Sequence, residues 1–191
     1  MATEARGVAR RREILEATVR VIGRGGVEAV EHRAVAAEAG VPLGSTTYYF
    51  ESKADMVAQA LHHVADRETE RVEEQVQVLR GEDPEGLPAR FVEWAMEQAF
   101  ADRLVLLAQY ELYLEGARRE DLRTAAERWD RAWHTLLEAA LERLGTPDAG
   151  RRAQLLCAGV DGLILQFLAT GRDIEELRPL LLELIERLSA R

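Results

Sequence analysis

The sequence predicts an all-α fold. Three observations carry that expectation: only 5 prolines interrupt 191 residues, apolar positions recur at helical spacing, and from residue 53 onward no stretch shows a strand pattern. The first helix gathers Val8, Leu15, Thr18, Val19 and Ile22 on one face before Gly25-Gly26. A short second helix follows, with Val35, Ala36 and Ala39 as a small apolar face. Gly40 stops it, because glycine accepts the left-handed C′ conformation without a Cβ penalty. Pro42 suits the start of the next helix, where its missing N–H costs nothing, so a third helix runs over Leu43 to Tyr49. Glu31-His32 offers the second helix no Ser or Thr cap. Ser52 with Asp55 three residues on imitates a capping box for a long fourth helix over 53–80, closed near Gly81-Glu82-Asp83-Pro84. Five more helices are predicted over 86–100, 102–115, 119–144, 148–170 and 174–189, with Asp83, Asp148 and Asp173 near their starts, where acids suit the helix dipole.

Residues 33–53 therefore form a helix, a tight turn and a helix, the geometry that puts one helix into a DNA major groove. The same geometry is also a generic way to pack two helices. The outward side of the third helix carries Gly44, Ser45, Thr47, Tyr48 and Tyr49, small groups for close approach and hydroxyls for phosphates and base edges. Lys53, the single lysine of the chain, sits at a helix start where a phosphate is welcome. Arg33, Gly44, Ser45, Thr46, Thr47, Tyr48, Tyr49 and Lys53 are the residues expected at double-stranded DNA.

The run Ala-Gly-Val-Pro-Leu-Gly-Ser-Thr-Thr-Tyr-Tyr-Phe, followed by Ser-Lys-x-x-Met, closely resembles the DNA-binding domain of the TetR family of transcriptional repressors. The resemblance covers roughly residues 8 to 60. It departs from the commonest family pattern at Thr46, where an apolar core residue is usual, and at Thr47, where an aromatic is common. It implies a nine-helix architecture: a three-helix DNA-binding domain over 1–53 and a ligand-binding and dimerisation domain over 54–191. It also implies release from the operator when a ligand displaces the fourth helix.

Charge divides along the same line. The net charge is −9, yet residues 1–53 hold seven Arg, one Lys and seven Glu, a net +1, so the acidity lies beyond residue 53. Arg6, Arg10, Arg11 and Arg12 can reach phosphates beside a docked motif. A weakly basic domain needs two copies acting together for specific binding. A lone cysteine, Cys157, forbids an internal disulfide. With no signal peptide and no apolar run of spanning length, the expectation is a cytoplasmic protein without a membrane partner.

The last two predicted helices carry more apolar surface than a small bundle needs. Leu156, Gly159, Val160, Leu163 and Phe167, with Leu177, Leu181, Leu184 and Leu188, are the expected homodimer contacts, in the position where the family pairs two helices with their copies. Asp161-Gly162-Leu163 is similar to what many members carry there. Aromatic side chains occupy the middle helices: Phe91, Trp94 and Phe100, then Tyr110 and Tyr113, then Trp129 and Trp133. Taken singly, each reads first as core. His63, Phe91, Trp94, Gln98, Gln109, Tyr110, Tyr113, Trp129 and Trp133 are the candidate ligand contacts, for an apolar or aromatic small molecule, and the acidic balance points to a cationic or neutral one.

No catalytic constellation emerges. His62 with Asp66 and Asp130 with His134 are spaced i, i+4, but each pair stands alone and reads as a solvated helix face. Cys157 reads as a small buried hydrophobe. No Gly-rich phosphate loop or nucleophile elbow is present, so no metal, cofactor or enzyme activity is expected. The sequence points to a one-component repressor of a palindromic operator. The alternatives are a DNA-binding regulator without an inducer, and a helical enzyme or carrier that uses the motif as scaffold.

Overall fold

The structure, a computed structural model, describes residues 2–81, 83–99 and 102–190, with side chains from residue 6 onward except at 98 and 99. The described residues form nine α-helices and no strand: α1 (Ala2–Gly25), α2 (His32–Ala39), α3 (Leu43–Tyr49), α4 (Lys53–Gly81), α5 (Leu87–Trp94), α6 (Arg103–Arg118), α7 (Glu120–Arg143), α8 (Ala149–Thr170) and α9 (Leu177–Ser189). Short 3₁₀ turns cover Val27–Ala29 and Ile174–Glu176. The second of these delays α9 to Leu177, because the Asp173 carboxylate accepts from the Glu175 N–H at 3.0 Å and fixes a tighter turn. Beyond Trp94 the chain makes a π turn, Ala95–Ala99. That wider turn shifts the helical register past Trp94. The Gln98 side chain and Phe100 lie outside the described residues.

The chain divides into two compact units, one running to Arg67 and including Asp102–Glu127, the other comprising Glu68–Ala101 and the chain from Arg128 on. The first unit is not cut at residue 53, because α6 joins it by packing on α1. Gly23 permits that packing: a Cβ there would collide with the Leu104 carbonyl. Ile14, Leu15, Ala17, Val19 and Ile22 are buried on α1. Val8, expected on that face, is 68% exposed. Thr18 is fully buried because its hydroxyl donates to the Ile14 carbonyl at 2.8 Å. The Asp102 carboxylate caps α6, accepting from the Leu104 and Val105 N–H groups.

In the second unit, α8 packs on α9 and α5 on α9. Leu156, Phe167, Leu177 and Leu181 are all at most 2% exposed. They fill this chain's own core, which corrects their expected place at a partner. Gly159 is occupied too: a Cβ there would approach the Leu184 side chain to 2.8 Å, so this glycine seats α9 against α8. Gly162 instead looks into open space. The outward stripe of α8 consists of Leu155, Ala158, Gly162 and Leu165, joined on α9 by exposed Leu180. Val160, Leu163, Leu184 and Leu188 are half-buried. Against the expectation of no spanning run, α8 is long and apolar enough by length and composition to cross a membrane. Its residues Leu156, Ile164, Phe167 and Leu168 are nonetheless buried in the unit's core. Asp148 precedes α8 with φ 52° and makes no side-chain cap. Its carbonyl accepts from the Arg152 N–H at 3.1 Å.

Candidate nucleic-acid interface

The turn between α2 and α3 is built as its residue types require. Gly40 takes φ 65° and ψ 33° and its N–H closes onto the Ala36 and Ala37 carbonyls, a left-handed cap that a side chain would strain. α2 receives no side-chain cap from Glu31, which precedes it. Its orientation is fixed instead by Glu38, which accepts from Arg20 at 2.8 Å and from Arg24 at 2.9 Å on α1. Those two guanidinium groups, Arg24 first, hold the Glu38 carboxyl below its ordinary range.

α3 is pinned from below by Val41, Thr46 and Phe50, all buried. Thr46 has no exposed surface; its hydroxyl donates to the Leu43 carbonyl at 2.8 Å and lies 3.4 Å from the His32 carbonyl. It therefore does not belong with the outward residues, which corrects its expected contact with DNA. The hydrogen bond to its own helix satisfies the hydroxyl and lets a threonine occupy an apolar position.

The remaining residues of α3 face outward. Gly44, Thr47 and Tyr48 are exposed, Ser45 and Tyr49 half-exposed, and Arg33 on α2 is exposed as well. A Cβ on Gly44 would meet nothing within 4 Å. Tyr48 is 81% exposed and stacks edge-on against Tyr49 with ring centroids 5.0 Å apart. The Tyr49 hydroxyl leans back toward Gly7 of α1. The Ser52 hydroxyl accepts from the Asp55 N–H at 3.1 Å while the Asp55 carboxylate accepts from the Glu51 N–H at 3.0 Å, so the predicted cap forms with its return bond shifted one residue outward. Lys53 donates to the Glu28 carbonyl at 3.0 Å and its carboxylate at 2.9 Å. This ties the start of α4 to the turn after α1 and holds the Glu28 carboxyl below its ordinary range. Two of the ammonium's three donors are thus engaged by Glu28. Among the expected arginines, Arg10 pairs with Glu13 at 3.1 Å and Arg11 donates to Gln59.

The candidate sensor residues fall in both units. In the first, Gln109 is buried and Tyr110 half-buried, while Tyr113 is 38% exposed. His63 is half-buried, with Nε2 shut away from solvent and without a hydrogen-bond partner. Burial first, then the Arg67 charge, pushes its imidazole below the ordinary value. In the second unit, Trp94 lies 5.7 Å from Phe91 and 6.0 Å from Trp133 between ring centroids. Trp129 is buried. Two residues absent from the sequence reading complete this cluster. Arg71 sits 5.9 Å from the Trp94 ring centre and donates to Glu68, whose carboxylate is buried. The i, i+3 spacing of Glu68 and Arg71 on a long helix was the available signal. A hollow of about 10 Å³ beside Phe91, lined by Leu87, Leu137, Leu141, Leu156 and Ile185, holds no more than a water.

Cys157 stands 3.9 Å from the Asp161 carboxylate. Burial first, then the charges of Asp161 and Asp130, pushes its thiol up to about 12. It is therefore protonated at neutral pH and no nucleophile.

Known proteins resemble the chain over both units. Residues 14–60 match the family model for bacterial regulatory proteins of the tetR family, and residues 83–190 match the tetracyclin repressor-like C-terminal domain. The nicotine-responsive transcriptional repressor HdnoR of Paenarthrobacter nicotinovorans is 31% identical over 172 residues, which are 87% of each chain. A TetR-family member from Streptomyces coelicolor A3 superposes with TM-score 0.70 at 36% identity, covering 94% of this chain and 97% of that one. The multidrug binding protein EbrR, solved with malachite green, gives TM-score 0.66 at 36% identity over 94% and 97% of the two chains. EbrR has also been solved with ethidium and with proflavin.

Proposed function

The chain belongs to the TetR family of bacterial transcriptional regulators, and on that premise we propose that it acts in the cytoplasm as a homodimeric repressor, released from a palindromic operator by a planar aromatic cation. The outward face of α3 carries the DNA half of the proposal. Its buried side is occupied by Val41, Thr46 and Phe50, while Gly44, Thr47 and Tyr48 are exposed and Ser45 half-exposed. Open space over Gly44 lets the backbone approach phosphate and base edges. Arg33 and Lys53 flank that face and supply the phosphate charge.

A second copy is needed, because one weakly basic domain holds few phosphates. The outward stripe Leu155, Ala158, Gly162 and Leu165 of α8, with Leu180 of α9, supports a two-fold contact. Val160, Leu163, Leu184 and Leu188 contribute at its edges. Two α3 helices in successive major grooves stand about 34–36 Å apart, one turn of DNA, so a two-fold dimer selects an inverted repeat.

The effector chemistry follows from the second unit. Trp94, Trp133 and Phe91 offer ring faces, and the buried Glu68 carboxylate is neutralised by Arg71 lying over Trp94. A flat cation can take Arg71's place on Trp94 and keep Glu68 paired. The aromatic cations bound by EbrR are of that kind. The ligand must bind the DNA-incompetent state better; a coupling of about 1–3 kcal/mol changes affinity by roughly 5 to 150-fold. The protein has no catalytic role in this scheme.

The test is fluorescence anisotropy on duplexes carrying inverted repeats, at several salt concentrations. Expected are a steep salt dependence, preference for a palindrome, a slope shallower by about one for Lys53→Ala, and release by proflavin that weakens in Glu68→Gln. Binding insensitive to Tyr48→Ala and Lys53→Ala would exclude the DNA assignment. Operator binding that responds to Tyr48→Ala but ignores proflavin and ethidium would exclude the effector alone.

A further inference from the structure

We propose that Asp130 and His134 of α7, with Cys157 and Asp161 of α8, form a binding site for a divalent cation of borderline softness, of which Zn²⁺ is the type. On each helix the two residues are spaced i, i+4 and share one face. The fold brings Cys157 to the α7 pair: the ligand atoms of Asp130, His134 and Cys157 all lie within 4.8 Å of one another, and Asp161 joins them through Cys157. His134 Nδ1 is 3.8 Å from the Asp130 carboxylate, and Cys157 Sγ is 3.9 Å from that of Asp161.

These separations fit a tetrahedral ion. Metal bonds of about 2.3 Å to sulfur and about 2.0–2.2 Å to nitrogen and oxygen put neighbouring ligand atoms roughly 3.4–3.6 Å apart. The pair on each helix, 3.8 and 3.9 Å apart, needs to close by only a few tenths of an ångström, and the separations between α7 and α8, within 4.8 Å, by up to about an ångström, a side-chain rotation in each case. The donor set is also specific. Thiol and imidazole prefer Zn²⁺, Cd²⁺ or Co²⁺, whereas Mg²⁺ and Ca²⁺ take oxygen ligands. Asp130, His134 and Asp161 are half-buried and Cys157 is the most enclosed of the four, shielded enough to hold a dehydrated ion and open enough to admit one. On coordination the thiol proton passes to solvent as the sulfur–metal bond forms.

This is neither an acidic patch nor an isolated cysteine, because it joins a sulfur, a nitrogen and two carboxylates from two helices. Sequence spacing hid it. Asp130 and His134 read as a solvated face only while Cys157 and Asp161, a helix away, were out of view.

The experiment uses the full chain, reduced and stripped of metal with a chelator, titrated with Co²⁺ alone and then with Zn²⁺. Expected are one Co²⁺ per chain with the visible bands of a tetrahedral ion and a thiolate-to-cobalt charge-transfer band, all erased by Zn²⁺. Cys157→Ser removes the charge-transfer band, and His134→Ala weakens binding by at least tenfold, the lower end of what even an outer-shell partner contributes. Circular dichroism checks that both variants keep the parent's helicity. Cobalt binding without a charge-transfer band, or a band that survives in a folded Cys157→Ser protein, overturns the site.

Discussion

Replacing Gly44 by alanine separates stability from DNA binding. Gly44 is the second residue of α3, its φ is not positive, and an added Cβ would meet nothing within 4 Å. The alanine therefore enters the helix without strain and gains about 0.5–1 kcal/mol from reduced freedom of the unfolded chain. For a chain of this size that raises the melting temperature by about 1–4 °C. On DNA the same methyl stands between Ser45, Thr47 and the groove. Holding α3 off by the width of a methyl lengthens its hydrogen bonds to phosphate, each worth about 1.5–3 kcal/mol when charge-assisted. Loss of a single one weakens the complex by at least about tenfold. Thermal unfolding by circular dichroism and anisotropy with one fixed duplex at one salt concentration measure the two effects. A lower melting temperature would show that α3 is packed where it is drawn open. Unchanged affinity would show that this face does not meet DNA.

Gly23→Ala has the opposite sign for stability: its Cβ collides with the Leu104 carbonyl, and an overpacking cost of about 1–3 kcal/mol outweighs the helix gain, so the melting temperature falls. In Thr46→Val, loss of a hydrogen bond worth about 1 kcal/mol is offset by a buried methyl worth about 0.8 kcal/mol. Stability and operator affinity should both stay near the parent's, whereas Thr47→Ala changes affinity with little effect on melting; a large affinity loss in Thr46→Val would return that residue to the interface. His63 is held neutral, its folded value below the unfolded value of about 6.5. The unfolded chain thus binds more protons as pH falls through that value, stability drops on acidification, and His63→Leu flattens the loss between pH 7 and the folded value. An unchanged pH dependence of melting in His63→Leu would refute this.

What the sequence made legible is local. Gly40 at a left-handed cap, Ser52 opening α4 and Pro42 before α3 each act within one turn, so residue type alone specifies them. Helix order was legible for the same reason. What it concealed is which face of a helix another element covers. Gly159 and Gly162 look alike in sequence, three residues apart on α8, yet Leu184 fills the first and nothing within 4 Å faces the second. Leu156 and Leu155 are adjacent, one 1% and the other 56% exposed. Apolar character and the family's pairing of α8 and α9 therefore took the core residues Leu156, Phe167, Leu177 and Leu181 for interface residues. Thr46 shows the converse. Expected at DNA although it stands where an apolar core residue is usual, it is buried, and the Leu43 carbonyl one turn back satisfies its hydroxyl. The same limit explains Asp130 and His134, whose spacing gave half a ligand set and could not say that α8 supplies the other half. Periodicity assigns residues to faces; a face acquires a function only through what the fold sets opposite it.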